Sequence, residues 1–331
     1  MTSISGKKES IYLIYKILEK YTDEEHYLTQ QEIINKLSIL YGVNLERKSI
    51  SSNIETLINL GFDINWIKGK GYALYERRLE DGEIKYIVDA LFSSRSLSGK
   101  DALSISKKLS SMQSMYKQKK YNYLYKSTAV TRTDNKEILY SMELINEAIE
   151  NNKKVSFQYL EYNEDGTPTV RHNGFRFIVS PYYLINNFGK YYLISNYRTK
   201  FHAIQNYRID YMLDVKIEDV DRIPINTLAG LENFDIAKYL NEHVYLFSSD
   251  VITAKVIILE SYGIQYIFDY FGSNIKINKK DGILYCYIKA SYDALFYWIV
   301  QFSKVFKVEE PVELVDQIRD FFIDQAKKYS K

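Results

Sequence analysis

Residues Phe175 to Ile217 read FRFIVSPYYLINNFGKYYLISNYRTKFHAIQNYRIDYMLDVKI. Three short β-type runs lie in this stretch, with Ser180-Pro181 near the start of one and Asn186-Asn187-Phe188-Gly189 as a turn between two. Side chains alternate across a strand, so Tyr191, Leu193 and Ser195 share one face and Tyr192 and Ile194 the other. The same parity around Ile209 sends Arg208 and Asp210 away from the side that buries Ile209. A small curved sheet with Leu193 and Ile209 in its core would display tyrosine rings and arginine. That is a platform for an anionic, ring-containing ligand.

The flanking sequence changes period on both sides. Upstream, Ile11, Ile14, Tyr15 and Leu18 recur with helical spacing. Thr29-x-x-Glu32 is a capping box opening a second helix with Ile33, Leu37 and Leu40 on one face, ended by Gly42. A third helix over about 46–60 buries Ile50, Ile54, Leu57 and Ile58, with Gly61 at its C-terminal end. Two short strands then flank Lys68-Gly69-Lys70-Gly71. Three helices followed by a hairpin form the winged helix-turn-helix pattern. In it the third helix enters the major groove and the hairpin follows the backbone. Arg47, Lys48, Ser49, Ser51 and Ser52 on that helix, with Lys68 and Lys70 at the hairpin tip, are the candidate contacts to an operator duplex. Residues 79–150 read as a helical linker, with a cap at Ser98-x-x-Asp101 ahead of Ala102, Ile105, Leu109 and Met112, and another at Asp134-x-x-Glu137 ahead of Ile138, Met142, Ile145 and Ile149.

From Val155 the period becomes two, and Asp165-Gly166 marks a hairpin. Downstream, strand 252–259, helix 262–271, strands 275–278 and 283–290, helix 292–302 and strand 305–308 form a β-α-β-β-α-β series, the ferredoxin-like split unit. Pro311 then starts a terminal helix, at its first helical position.

Pro181, Tyr191-Tyr192-Leu193 and Tyr207-Arg208-Ile209-Asp210 together resemble the WYL domain of bacterial transcriptional regulators, with Tyr191-Tyr192-Leu193 in place of the name-giving Trp-Tyr-Leu. Phe271-Gly272 and Glu310-Pro311 resemble the C-terminal extension of those proteins. The resemblance implies a small SH3-like or Sm-like barrel that senses a nucleotide or a short single-stranded nucleic acid. Arg176, Tyr191, Tyr192, Arg198, His202 and Arg208 are the candidate effector residues. Two departures stand out. Ser52 and Asn53 occupy positions where such regulators carry arginine and aspartate, and Tyr211 stands where many carry a second arginine.

The expected fold is therefore multidomain α+β: winged helix (1–78), helical linker (79–150), WYL barrel (151–222), and a ferredoxin-like extension with a terminal helix that makes a homodimer (223–331). A net charge of +2 over 331 residues requires any basic surface to be local. The single cysteine, Cys286, excludes an internal disulfide and suits a reducing cytoplasm. Met1–Ser10 lacks a signal peptide's apolar region, and no apolar run approaches the roughly 20 residues that span a bilayer. The four histidines lack zinc-ligand spacing. Gly99-Lys100-Asp101 is no complete phosphate loop, and no Gly-x-Ser-x-Gly occurs. The expectation is a binding protein without metal, cofactor or catalytic activity. The rival reading is an RNA- or single-stranded-DNA-binding accessory protein of a phage-defence or CRISPR system.

Overall fold

A computed structural model describes residues 7–121, 133, 135–197 and 204–330. The chain is a multidomain α+β protein with separate antiparallel sheets. It divides into two compact units, Met1–Lys136 and Glu137–Lys331, so the helical stretch 79–150 contributes to both.

In the first unit, helices α1 (Lys7–Tyr21), α2 (Gln30–Tyr41) and α3 (Arg47–Asn59) precede the hairpin β1 (Ile64–Ile67) and β2 (Gly71–Leu74). The capping box at α2 is complete: Thr29 Oγ1 accepts from the Glu32 amide, and Glu32 accepts from the Thr29 amide at 2.7 Å. Gly42 ends the helix in the left-handed region. Leu13, Ile14, Ile17, Leu18, Ile33, Leu37, Ile50, Ile54 and Leu57 meet in one core. Leu40 and Ile58, both expected inside, are exposed. Leu40 continues the Ile33–Leu37 stripe into the last turn of α2, and Ile58 lies beside the Ile50, Ile54 and Leu57 stripe of α3; both fall outside the shared core.

Helices α4 (Asp81–Ser93), α5 (Gly99–Ser110) and α6 (Met115–Gln118) follow. Ser98 caps α5 as expected. That helix buries Ala102, Ser106 and Ser110, while Ile105 and Leu109 are half-buried and Met112 is exposed. Ser106 satisfies its hydroxyl on the Ala102 carbonyl at 2.7 Å, which lets a small polar side chain take an inward position. Asp134 lies outside the described residues, and the next helix opens after Glu137 with no side-chain cap.

Asp23 is buried between these helices. Its carboxylate accepts from Ser114 Oγ at 2.5 Å, from His26 Nδ1 at 2.7 Å and from the amides of Glu25 and His26 at 3.0 Å. Burial alone would raise its pKa, but these donors hold it below the ordinary value of 3.8. A depressed carboxyl contributes stability above its unfolded value and loses it as pH falls through the lower, folded one. Urea midpoints across the acid range are expected to fall below pH 3.8. Asp23→Asn should be less stable at neutral pH and show a shallower acid decline. An equal decline in both proteins would place the acid sensitivity elsewhere.

The second unit opens with α7 (Ile138–Glu150), which buries Ile138, Ser141, Ile145 and Ala148. Met142 and Ile149, expected inward, are half-buried. Strands β3 (Lys153–Tyr162), β4 (Pro168–Val170), β5 (Arg176–Asn187), β6 (Lys190–Asn196), β7 (Gln205–Arg208) and β8 (Met212–Asp221) form one sheet, with the short turn α8 (Arg171–Gly174) before β5. The predicted turns are present: Gly166 closes the β3–β4 hairpin, and Phe188 and Gly189, both at positive φ, close β5–β6. Strand order is β4-β3-β5-β6-β7, with β8 also on β3. The end strands β7 and β8 form no ladder among the described residues, so the expected closed barrel is not made. A 3-10 turn, Ile209–Tyr211, takes up the main chain between them.

Leu193 and Ile209 are fully buried, as expected, but so is Ile194 on the opposite face of β6. Ile194 packs with Tyr182 of β5 and with Leu228, Tyr239 and Leu246 from the segment that carries α9 (Ile236–Glu242). Further on, β9 (Val251–Ile258), α10 (Gly263–Phe271), β10 (Asn278–Lys280), β11 (Ile283–Ser291), α11 (Tyr292–Gln301) and β12 (Phe306–Glu310) make an antiparallel sheet of order β10-β11-β9-β12, the split β-α-β arrangement. The strand expected at 275–278 is displaced to Asn278–Lys280, where the register against Ile283–Tyr285 places it. The terminal helix α12 (Val312–Tyr329) follows a cis Glu310–Pro311 bond, with Pro311 as its N-cap rather than its first helical residue. Among the described residues no helix is long and apolar enough to cross a membrane.

Candidate ligand and nucleic-acid sites

Tyr192 on β6 and Arg208 on β7 are direct cross-strand partners. Arg208 lies at the end of its strand, where Ile209 dives into the core and the 3-10 turn begins. Its guanidinium makes a fork with Asp210: Nε to Oδ1 at 3.1 Å and Nη2 to Oδ2 at 2.6 Å. Its carbon sits 4.1 Å from the centroid of the Tyr211 ring, within cation–π range. Desolvation opposes the charge, but Asp210 outweighs it and Arg208 stays protonated more firmly than usual. The Arg208 amide donates to Tyr159 Oη at 3.0 Å.

Around this point the rings join into one aromatic group. Tyr211 meets Tyr159 at 5.9 Å and Tyr162 at 6.1 Å, and Tyr159 and Phe157 both meet Tyr207. Burial pushes the Tyr207 hydroxyl up to about 12 and keeps it protonated. Tyr192 was expected to escape the core. It is half-buried against the Ile194 cluster, because residues 223–246 cover the face that a single-layer sheet would have left open. Its hydroxyl is raised first by burial, and the Arg208 charge works against the shift.

The other candidates are dispersed. Arg176, paired across from Gln158, donates to Ser156 Oγ at 2.8 Å and to Asp214 Oδ2 at 2.9 Å, and these partners are not those of Arg208. Tyr191 pairs with Asn186 and has the opposite parity to Tyr192. Arg198 and His202 lie outside the described residues. Arg-x-Asp spacing places Arg208 and Asp210 on one face and suggests a surface ion pair; the pair is made, but with Asp210 buried. Sequence reading missed Tyr159, which no local pattern marks.

On the first unit, Arg47 and Lys48 occupy the first turn of α3, whose N-cap Glu46 makes no side-chain cap and whose first turn holds no acidic residue. Arg47 Nη2 donates to Gln31 Oε1 at 3.2 Å, and Ser51 Oγ accepts from Gln30 Nε2 at 2.6 Å. Two glutamines of α2 therefore brace the start of α3. Ser49 is half-buried, while Lys48 and Ser52 are exposed. At the hairpin tip Lys68 is exposed, and Lys70 Nζ stands 5.4 Å over the Tyr27 ring. Among the described residues no cluster of three or more His, Cys, Asp or Glu could hold a metal ion.

Residues 141–217 match the model of the WYL domain, and the chain contains one. Among solved structures, the chain is similar to proteasome accessory factor B/C (PafBC) of Arthrobacter aurescens, at 15% identity over 98% of this chain and 49% of that one, with a TM-score of 0.31. It is also similar to a CRISPR Cas-related protein, at 16% identity over 98% of this chain and 85% of that one, with a TM-score of 0.39. The chain thus spans about half the length of the PafBC chain. No curated protein matches it.

Proposed function

We propose that this protein is a DNA-binding transcriptional regulator. In this reading the first unit is a winged helix-turn-helix that grips operator duplex, and the WYL domain senses a nucleotide or single-stranded nucleic acid. The C-terminal unit supports a cytoplasmic homodimer, and the protein is a binder rather than an enzyme. The observation that carries the reading is the first turn of α3. Cations at a helix N-terminus oppose the helix dipole, and Arg47 and Lys48 both stand there, with Glu46 at the N-cap as the one acid beside them and none in the first turn. Two cations against one acid break a local rule that is only partly compensated, which points to a function, and phosphates along a duplex supply the remaining counter-charge. The Arg208–Tyr211 site supports the sensing half. Asp210 already neutralises the guanidinium, so an effector is held by ring stacking together with the remaining N–H groups of Arg208.

Titration of a labelled duplex against Arg47→Ala/Lys48→Ala tests the reading. The variant is expected to bind more weakly, with a log–log salt slope shallower by about 0.9 for each phosphate it no longer neutralises. An unchanged affinity and slope would remove α3 from the interface. Binding of unpaired strands alone by the parent protein would favour the accessory-protein reading.

A further inference from the structure

The C-terminal sheet has one face beneath α10 and α11 and a second face that α9 meets at the Lys289 end of β11 and that is otherwise open. Alternation along β9 puts Ala254, Val256 and Ile258 into the core, and along β11 it buries Cys286, Ile288 and Ala290. The residues between them face outward: Thr253, Lys255 and Ile257 on β9, and Ile283, Tyr285, Tyr287 and Lys289 on β11. These are the two central strands. Register places Tyr285 beside Ile257 and Tyr287 beside Lys255. Tyr287 is 50% exposed at the middle of the sheet, where an apolar ring has no packing role. The Tyr285 and Tyr287 rings lie 6.0 Å apart, with Lys255 Nζ 5.1 Å over Tyr285. Lys280 and Lys307 extend the basic surface onto the edge strands. Glu309 pairs with Lys255 and Glu242 with Lys289, and Glu310 lies opposite Lys255, which leaves Lys280 and Lys307 as the lysines of this face that meet phosphate.

We infer that this open sheet face is a docking surface for single-stranded RNA, independent of the Arg208 site. Exposed tyrosines on central strands give bases a stacking surface, and flanking lysines follow the phosphates, the arrangement by which four-stranded sheets take unpaired RNA. A duplex keeps its bases stacked on each other and cannot use the rings. The hydroxyls of Thr253, Tyr285 and Tyr287 on the same face can both donate to and accept from a ribose 2′-hydroxyl, which selects RNA over DNA.

Fluorescence anisotropy of the full chain with labelled oligouridylate, oligothymidylate of equal length and an RNA duplex tests the assignment. Oligouridylate is expected to bind tightest. Tyr285→Ala/Tyr287→Ala should weaken it by about 25-fold or more, taking roughly fivefold for each stack removed. Lys280→Gln/Lys307→Gln should lower the salt slope by about 0.7 for each phosphate released. Tyr86→Ala, which removes an exposed ring of α4 outside both proposed sites, should leave oligouridylate affinity within about twofold, taking twofold as well under the effect of removing a single stack. Arg208→Ala should remove only binding at the proposed effector site, so crosslinking to the open sheet face separates this proposal from the regulator reading. Photocrosslinking of a 4-thiouridine strand, mapped to residues 283–289, reads the parent protein without any variant. An absence of crosslinks at residues 283–289 would overturn the proposal, as would undiminished binding by the tyrosine variant or equal affinity for oligothymidylate. So would a shift from dimer to monomer in sedimentation as the variant's sole change, since a second copy would then cover the face.

Discussion

Arg208→Ala is expected to lose effector binding and, at the same time, a substantial part of the second unit's stability. Strand parity alone places Arg208 outward, where its removal would leave the fold intact. The fork with Asp210 reverses that expectation. Asp210 has a side chain only 6% exposed and Arg208 one 23% exposed. Breaking a buried pair from one side leaves a carboxylate in a poorly solvated site, at roughly 3–5 kcal/mol for full burial. The partial exposure of the guanidinium puts the expected loss near the lower bound, about 3 kcal/mol. Urea unfolding measures it. Arg208→Ala/Asp210→Asn should recover part of the loss, because the uncompensated charge goes with its partner. Arg208→Lys keeps the charge but not the fork. It should stay folded and bind a labelled mononucleotide or short oligonucleotide less tightly than the parent. Parental unfolding of Arg208→Ala would refute the ion-pair account, and parental effector binding by Arg208→Lys and Arg208→Ala would refute the site.

Gly71→Ala should be the most damaging small substitution in the first unit. Gly71 opens β2 at φ +111° beneath the bridge in which Leu28 and Tyr72 exchange main-chain hydrogen bonds at 2.9 and 2.8 Å. A methyl group there would overlap the Leu28 carbonyl, which is main chain and cannot swing aside. The backbone conformation costs an L-residue about 1–2 kcal/mol by itself, and overpacking adds about 1–3 kcal/mol. Gly69, at φ +81° on the hairpin tip, has open space around it. Gly69→Ala should therefore cost only the conformational part. Thermal unfolding of the two variants makes the comparison, and duplex affinity should fall with Gly71→Ala because the proposed wing is displaced. Equal destabilisation by both would show that the clash is relieved by local movement.

Local signals carried much of this architecture. The Thr29–Glu32 box, the αL glycine at 42 and the Asp165-Gly166 and Phe188-Gly189 turns each state a backbone conformation within a few residues. Those features appear where the sequence put them. What stayed hidden depends on segments distant in sequence. Nothing near Tyr192 or Ile194 announces that residues 228–246 return to cover them. Leu40, Ile58 and Met112 fit a helical stripe as well as their buried neighbours do, and only the width of the tertiary contact leaves them outside. At the candidate site, strand parity gave the faces of Tyr192 and Arg208 but not the register that pairs them, nor the bracing by Tyr159, 49 residues from Arg208.

The burial of β6 on both faces has a bearing on how such a domain can diversify. Leu193, Ile194, Ser195 and Asn196 all have neighbours above and below, so almost any replacement among them disturbs one layer or the other. A lineage adapting the domain to a new effector has little room in the strand itself. The room lies where the ladder stops, in the three-residue turn Ile209–Tyr211. One position there, Tyr211, meets Arg208 and Tyr159 through its ring alone, so exchanging the ring for a charge changes the ligand chemistry while the Asp210 fork and the Tyr159 hydroxyl still hold Arg208. Changes of ligand chemistry should therefore accumulate at this turn while the strand beside it stays nearly constant.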